Sequence, residues 1–526
     1  MKRGLLLGAG LVTVSLGLGA GLTAVMGGFT VRAWLAAAFL LLISISSLYG
    51  LYRKAGRACL LAWMLLAAFA LRLGLGVTLM KVLPAAGYDT EQQNAGYVFF
   101  DAYRRDAQAL ELAQSDAPLT SVFNRQYFTD QYGGYLGLSA LVYRGLAGGE
   151  HQPLLMLILA AFAGSAGAAF LWLLLGRIGH EPWRKLAGWI FVLYPEAVLL
   201  GAAHMRDPYL ISFLAMFIWA GLEWHDAGLR RTWPWMAAAV VGLLLFSPGM
   251  ILPGVAGLAI WLLAENKNPG VRWRTVILVG LAAVLGVSAL AYALAAPGGT
   301  AASPLQVILN WFREASGWDM TLALRNSGML AHQLEGLPAW FRNAFILLYG
   351  LLQPVLPAAI MDNALPLARG LIIWLSLGWY LLLPLVMYGT LAAFIDRHSA
   401  DRVRMRWLAS LLWFWMALSS LRAGGDVWDN PRYRTLALVF FCLFAAWAIQ
   451  SAREHGARWL KRIFLIEGIA LAFFLQWYAS RYYQWGSKLP FYSMLLLILA
   501  ASLAVVVGGW LYDGWQTRKK RAGVGG

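Results

Sequence analysis

Apolar runs of about 20 residues recur along this chain, separated by short polar or basic stretches. A helix needs roughly 20 apolar residues to cross the hydrocarbon core of a bilayer, and the pattern predicts about fourteen such helices. They fall near 4–27, 31–52, 57–83, 153–176, 183–203, 208–225, 232–247, 250–264, 275–296, 367–395, 407–421, 435–450, 463–478 and 492–512. The pair flanking Ser247-Pro248-Gly249 also reads as one broken hairpin. The expected fold class is an all-α polytopic membrane protein.

Basic clusters punctuate the runs at Arg53/Lys54/Arg57, Arg184/Lys185, Arg230/Arg231, Lys267/Arg272/Arg274, Arg402/Arg404/Arg406, Arg458/Lys461/Arg462 and Arg518 to Arg521. They alternate from side to side, the pattern of the positive-inside rule. That orientation predicts a multi-pass inner-membrane protein with both termini in the cytoplasm. Three longer loops then share the outer face: 84–152, 297–363 and Arg422 to Arg434. In the first, YLGLSALVYRGL (Tyr135 to Leu146) is apolar but too short to span, and reads as a helix along the membrane surface. The second carries Trp311, Arg313, Glu314, Trp318 and Asp319. Shorter outer turns hold His204-Met205-Arg206-Asp207 and Arg481 to Lys488.

Composition agrees with this class. The chain is 60% hydrophobic and 13% charged, with a mean hydropathy of +0.63. Its 26 tryptophans suit interfacial belts, and many stand at run ends. The formal net charge of +17 is dispersed over the clusters rather than gathered in one patch, which excludes nucleic acid as a partner and leaves membrane lipids. Cys59 and Cys442 are far apart in apolar runs, so neither a disulfide framework nor a cysteine metal site is expected. The first apolar run is longer than a signal-peptide core and has no clear cleavage site, so it reads as a retained anchor. No internal repeat is detectable.

The chemistry-bearing residues lie in the loops. Asp101 opens FFDAYRRDAQALELA, where an aspartate also serves as a helix N-cap, and Asp106 follows five positions on. A carboxylate beside an apolar surface is partly desolvated and gains basicity. Asp207 precedes Pro208, again a capping arrangement, with Arg206 beside it at the interface. Glu196, inside the run LYPEAVLL, is an ionisable group in a span, hence functional or paired, with Arg72 as a candidate partner. Glu467 is an isolated case read as structural. RAGGDVWDNPRYR brings Arg422, Arg432 and Arg434 into one short loop, and a guanidinium fork fits a phosphate; snorkelling to headgroups is the alternative. Lys488 and Arg481 extend that basic surface. The histidines are scattered, and no spacing marks a metal site. A divalent cation, if one is used, would draw on Asp101, Asp106 or Asp207.

From 57 to 296 the order of spans and loops resembles the GT-C glycosyltransferase superfamily. It is most similar to protein O-mannosyltransferases and to the bacterial transferases that add aminoarabinose to lipid A. The resemblance rests on Asp101 in FFDAYRRDAQALELA, on YLGLSALVYRGL, on the run LAGWIFVLYPEAVLLGAAHMRD and on Arg206-Asp207. It covers a little under half the chain. It implies a seven-span catalytic module over 57–296, preceded by two extra spans in 1–56. An outer loop at 297–363 and C-terminal spans over 364–526 follow. It further implies a polyprenyl-phosphate sugar as donor, a glycan, lipid or protein acceptor, an aspartate as general base and arginines on the departing phosphate. Asp101, Asp106 and Asp207 are then the catalytic candidates, and Arg206, Glu196, Tyr103, Arg422, Arg432, Arg434 and Lys488 the substrate-binding ones. The family's usual paired acids are not matched, since Ala102 follows Asp101; Asp106 is one substitute, and Asp89 with Glu91 another. A polysaccharide polymerase or O-antigen ligase would depend on a late loop instead. A lipid or sugar transporter would place its ionisable groups along a midplane path.

Overall fold

The computed structural model describes residues 2–123, 127, 132–178, 181–265, 334, 336–395 and 402–523. Every regular element among them is helical. In chain order these are α1 (Lys2–Met26), α2 (Val31–Lys54), α3 (Cys59–Ala86), α4 (Glu91–Asn94), α5 (Phe100–Gln114), α6 (Gly134–Val142), α7 (Pro153–Ile178), α8 (Glu181–Leu193), α9 (Pro195–Gly201), α10 (Asp207–Ala227), α11 (Leu229–Phe246) and α12 (Ile251–Glu265). There follow α13 (Ala339–Leu352), α14 (Leu356–Met361), α15 (Pro366–Ile395), α16 (Arg402–Ala423), α17 (Asp429–Thr435), α18 (Leu438–His455), α19 (Arg458–Tyr482) and α20 (Phe491–Gly523).

Among the described residues seven helices are long and apolar enough to cross a membrane, and an eighth if α17 and α18, bent by 73° at their junction, count as one broken span. The chain is a multi-pass membrane protein. Each expected span coincides with helix, except 275–296, which lies outside the described residues with most of loop 297–363. Among the described residues the remaining shortfall from fourteen arises where helices are short, polar at one end or broken. The run 183–203 is two helices because Pro195 has no N–H to continue α8. Ser247 is extended before Pro248, so α11 and α12 are separate helices joined by a 3₁₀ turn.

Local signals set the ends. Thr30 caps α2 through a bond from the Ala33 N–H (3.0 Å), and Arg53 and Lys54 face the negative end of its dipole. Neither Asp101 nor Asp207 caps a helix, contrary to expectation: α5 starts at Phe100 after Phe99, and Asp207 is already the first residue of α10. Both carboxylates are left for other partners.

The chain divides into two compact units, Met1–Leu351 with Val403–Cys442, and Leu352–Arg402 with Leu443–Gly526. In the first, α7 packs on α2, α3 and α10, so the two N-terminal spans belong to the same body as the expected catalytic module. Loop helices α5 and α6 lie against each other, with Tyr135, Leu136, Ser139 and Ala140 buried and Leu141 facing outward. In the second unit α19 packs on α14, α15 and α20, and Arg458 and Arg462 hold Asp513 at 3.3 and 2.6 Å.

Candidate active site

Arg432 is the centre of the site. Its side chain is 3% exposed, and it reaches three carboxylates, each at 3.2 Å: Nε to Asp207, Nη1 to Asp101 and to Asp429. Asp101 comes from the first turn of α5 and Asp207 from the start of α10. Asp429 and Arg432 share one face of α17, three residues apart. Separations of 331 and 225 residues along the chain close to hydrogen-bonding distance. Two carboxylates and an arginine named from the sequence therefore meet at one point.

The three acids differ in setting. Asp207 is buried, and its Oδ2 has no hydrogen-bond partner among the described residues. The Asp101 side chain is 53% exposed and uses Oδ2 on Arg432. Partial burial pushes its carboxyl up, but Arg432, then Arg105 and Arg206, outweigh that and hold it below the ordinary carboxylate range. Burial, helped by Asp426, Asp101 and Asp207, pushes Asp429 up to about 6 against the pull of Arg432. Arg206 lies over the Tyr132 ring at 5.0 Å, and both Arg206 and Arg422 act on Tyr433 beside Arg432.

Asp106 is not part of this cluster, which corrects the expectation that it partners Asp101. It is buried and accepts hydrogen bonds from the Tyr97 and Tyr143 hydroxyls and from His151 Nε2 at 2.5 Å. His204 Nδ1 lies 2.9 Å from its other oxygen. Burial alone would raise this carboxyl, yet His204 and His151 hold it well below the ordinary range. Tyr103 stands beside Tyr97, ring centroids 5.9 Å apart.

Glu196 also has a partner other than the one expected. Arg434 Nη2 reaches Glu196 Oε1 at 2.5 Å, Thr435 Oγ1 donates to Oε2 at 2.8 Å, and the Tyr194 hydroxyl completes the set. Both ions are buried, and the pair pins α17 to α9. Arg72 instead donates to the carbonyls of Ala68, Val192 and Phe191 at 3.1–3.3 Å, serving the end of α8 where Pro195 interrupts the ladder. Lys488 lies in the second unit, exposed in the turn before α20.

Several of these residues escaped the sequence. Asp429 had a local signal, its position three before Arg432 on a helix. His151, His204, Tyr97 and Tyr143 had none, being drawn together only by packing. Among the described residues no three His, Cys, Asp or Glu side chains are grouped as metal ligands. Where Asp101, Asp207 and Asp429 converge, the guanidinium of Arg432 carries the positive charge.

No family model matches this sequence, and no curated protein matches it. Among solved structures the chain is similar to the archaeal oligosaccharyltransferase AglB from Archaeoglobus fulgidus, solved in complex with an inhibitory peptide and a dolichol-phosphate. The identity is 14% and the TM-score 0.40, over 88% of this chain and 56% of that one. The present chain thus spans just over half the length of that protein.

Proposed function

We propose that this protein is a GT-C-type membrane glycosyltransferase that moves a sugar from a polyprenyl-phosphate donor to an acceptor hydroxyl at the outer face. One observation carries the reading: a half-exposed aspartate, Asp101, shares a buried guanidinium with Asp207 and Asp429, with Arg206 alongside. A base and phosphate-binding cations in one place are what glycosyl transfer from a lipid phosphate requires.

Asp101 is the base. Its acceptor-facing oxygen takes the proton of the hydroxyl as that oxygen bonds to the anomeric carbon. The bond from that carbon to the phosphate oxygen breaks, and the lipid phosphate leaves with the electron pair. Arg432 and Arg206, with Arg422 behind them, stabilise the charge that develops there. In the free enzyme Arg432 keeps Asp101 ionised. A phosphate that draws on the same guanidinium weakens this hold, so donor binding raises the basicity of Asp101 when the acceptor arrives. Glu196 and Arg434 act as the mount of α17 rather than as substrate contacts. The polymerase or ligase reading stays in view because Arg432 and Asp429 belong to the late loop; here that loop and the first loop serve one site.

The test is Asp101→Asn, assayed with polyprenyl-phosphate sugars. It preserves shape, so the protein is expected to express and melt normally while turnover falls by about 10²–10⁴-fold, the usual share of a general base. Full activity of Asp101→Asn would sink the first-loop mechanism and shift weight to a reaction run by the late loop alone.

A further inference from the structure

Helix α5 carries Asp101 in its first turn, so the lie of its axis decides where that carboxylate stands. Its other end has a local need. A helix leaves its last four carbonyls without partners inside the helix, and α5 runs out into Ser115-Asp116-Ala117-Pro118 with no glycine to close it. One side chain from elsewhere collects them. Arg144 Nη2 lies 2.5 Å from the carbonyl oxygen of Leu112, 3.0 Å from that of Ser115 and 2.9 Å from that of Ala117, and Nε lies 3.4 Å from that of Ala113. A carbonyl only accepts and a guanidinium only donates, so the direction of each bond is fixed by the groups themselves.

Arg144 stands on a π turn, Tyr143–Ala147, that continues α6. Such turns widen the helical ring by one residue and recur at functional sites. Here consecutive side chains grip α5 at two heights. The Tyr143 hydroxyl donates to Asp106 in the middle of the helix, and Arg144 donates to the carbonyls at its end. Gln114 answers from α5, its Nε2 donating to the Gly149 carbonyl at 2.9 Å. The turn is itself braced. Arg32 of α2 donates through Nε to the Leu146 carbonyl at 3.2 Å, and Ser139 Oγ of α6 lies 3.0 Å from His204 Nε2.

Helix α5 is then a lever resting on Asp106, with Arg144 at one end and Asp101 at the other. From Asp106 to Asp101 is about 7.5 Å of helix axis, so a tilt of about 8° moves Asp101 by ~1 Å. A misplacement of ~1 Å at a reacting group costs on the order of 10²-fold in rate. We infer that Arg144 is the positioning residue of the first loop: its guanidinium closes the far end of α5 and fixes the tilt that sets Asp101 against Arg432. It touches no reacting atom. The catalytic half of this statement rests on the glycosyltransferase reading, whereas the lever does not.

The test compares Arg144→Gln and Arg144→Lys with the parent, as full-length protein in detergent. Arg144→Gln removes the fork, and with a polyprenyl-phosphate sugar its kcat is expected to fall about 10–100-fold. The KM for the donor should stay within about twofold, because the arginines beside the phosphate are untouched. Arg144→Lys keeps the stem and a cation but offers its donors from a single point, so its kcat should fall between the other two. Parent kcat in Arg144→Gln, or a donor KM that rises while kcat holds, would overturn the positioning role. Amide hydrogen exchange, which needs no substrate, reads the lever: exchange is expected to quicken along α5 from Arg104 to Ser115. Quickening confined to Leu112–Ala117 would overturn it and leave Arg144 as a local cap. Should Arg144→Gln fail to fold, Arg144→Lys decides, and parent kcat with parent exchange in that variant overturns the proposal. If the parent turns over no lipid-linked sugar while exchange quickens along the whole helix, the glycosyltransferase reading fails and the lever stands.

Discussion

Around Arg432 the exposure of each carboxylate decides how much of the guanidinium's charge reaches a ligand. Asp101 stays ionised at neutral pH, whereas Asp429 changes charge near pH 6. Its carboxyl is raised from the ordinary 3.8, so the stability it adds belongs to the protonated form: present below about pH 4 and lost as pH rises through 6. Asp106 has the opposite sign, adding stability above the ordinary carboxylate range that is lost as the medium becomes more acidic. For the site, protonating Asp429 removes a competitor for Arg432. The KM for a lipid-phosphate donor is therefore expected to fall as pH drops through about 6. Asp429→Asn should show the low value on both sides of that pH. Initial rates with varied donor check it, and an unchanged pH dependence in the variant would remove Asp429 from the site.

At the scale of elements, close backbone approach sets where the loop helices sit. A Cβ on Gly134, at the start of α6, would stand 2.2 Å from the Leu245 carbonyl oxygen and 2.6 Å from its carbon, both backbone atoms near the end of α11. Neither can move aside like a side chain. Gly134→Ala is expected to cost about 1–3 kcal/mol, the usual penalty of overpacking, and to shift α6 with the Ser139 that meets His204. Gly8→Ala, with nothing within 4 Å, is the control and should melt at least as high as the parent. Melting curves of the two variants separate a packing effect from a general intolerance of alanine. Equal melting temperatures would mean that α6 does not need this contact.

For the whole molecule the decisive quantity is orientation. If the basic clusters face the cytoplasm, the loops carrying Asp101 and Asp429 open on the other side. In a Cys59→Ser background, cysteines placed at Ser115 and Ser487 are expected to react with an impermeant thiol reagent on intact cells. One placed at Arg518 should react only after permeabilisation. Cys442 is buried and contributes no background. Labelling of Ser115→Cys only after permeabilisation would reverse the topology and, with it, the choice of a lipid-linked donor.

The sequence by itself determined what depends on neighbours along the chain. The membrane class follows from run length, the interruption at Ser247-Pro248-Gly249 from its proline, and the gathering of acids and arginines in loops from the cost of placing them in lipid. It also named Asp101, Asp207, Arg206 and Arg432 as members of a site. Only the tertiary structure decided which acid answers to which base. Asp106, five residues from Asp101 on the same helix, turns to two histidines and two tyrosines, and Glu196 takes Arg434, 238 residues away, in preference to Arg72. Such pairings are invisible locally because an ionic partner is chosen by which charge packing brings within about 3–4 Å in a desolvated interior, where distance in sequence carries no weight.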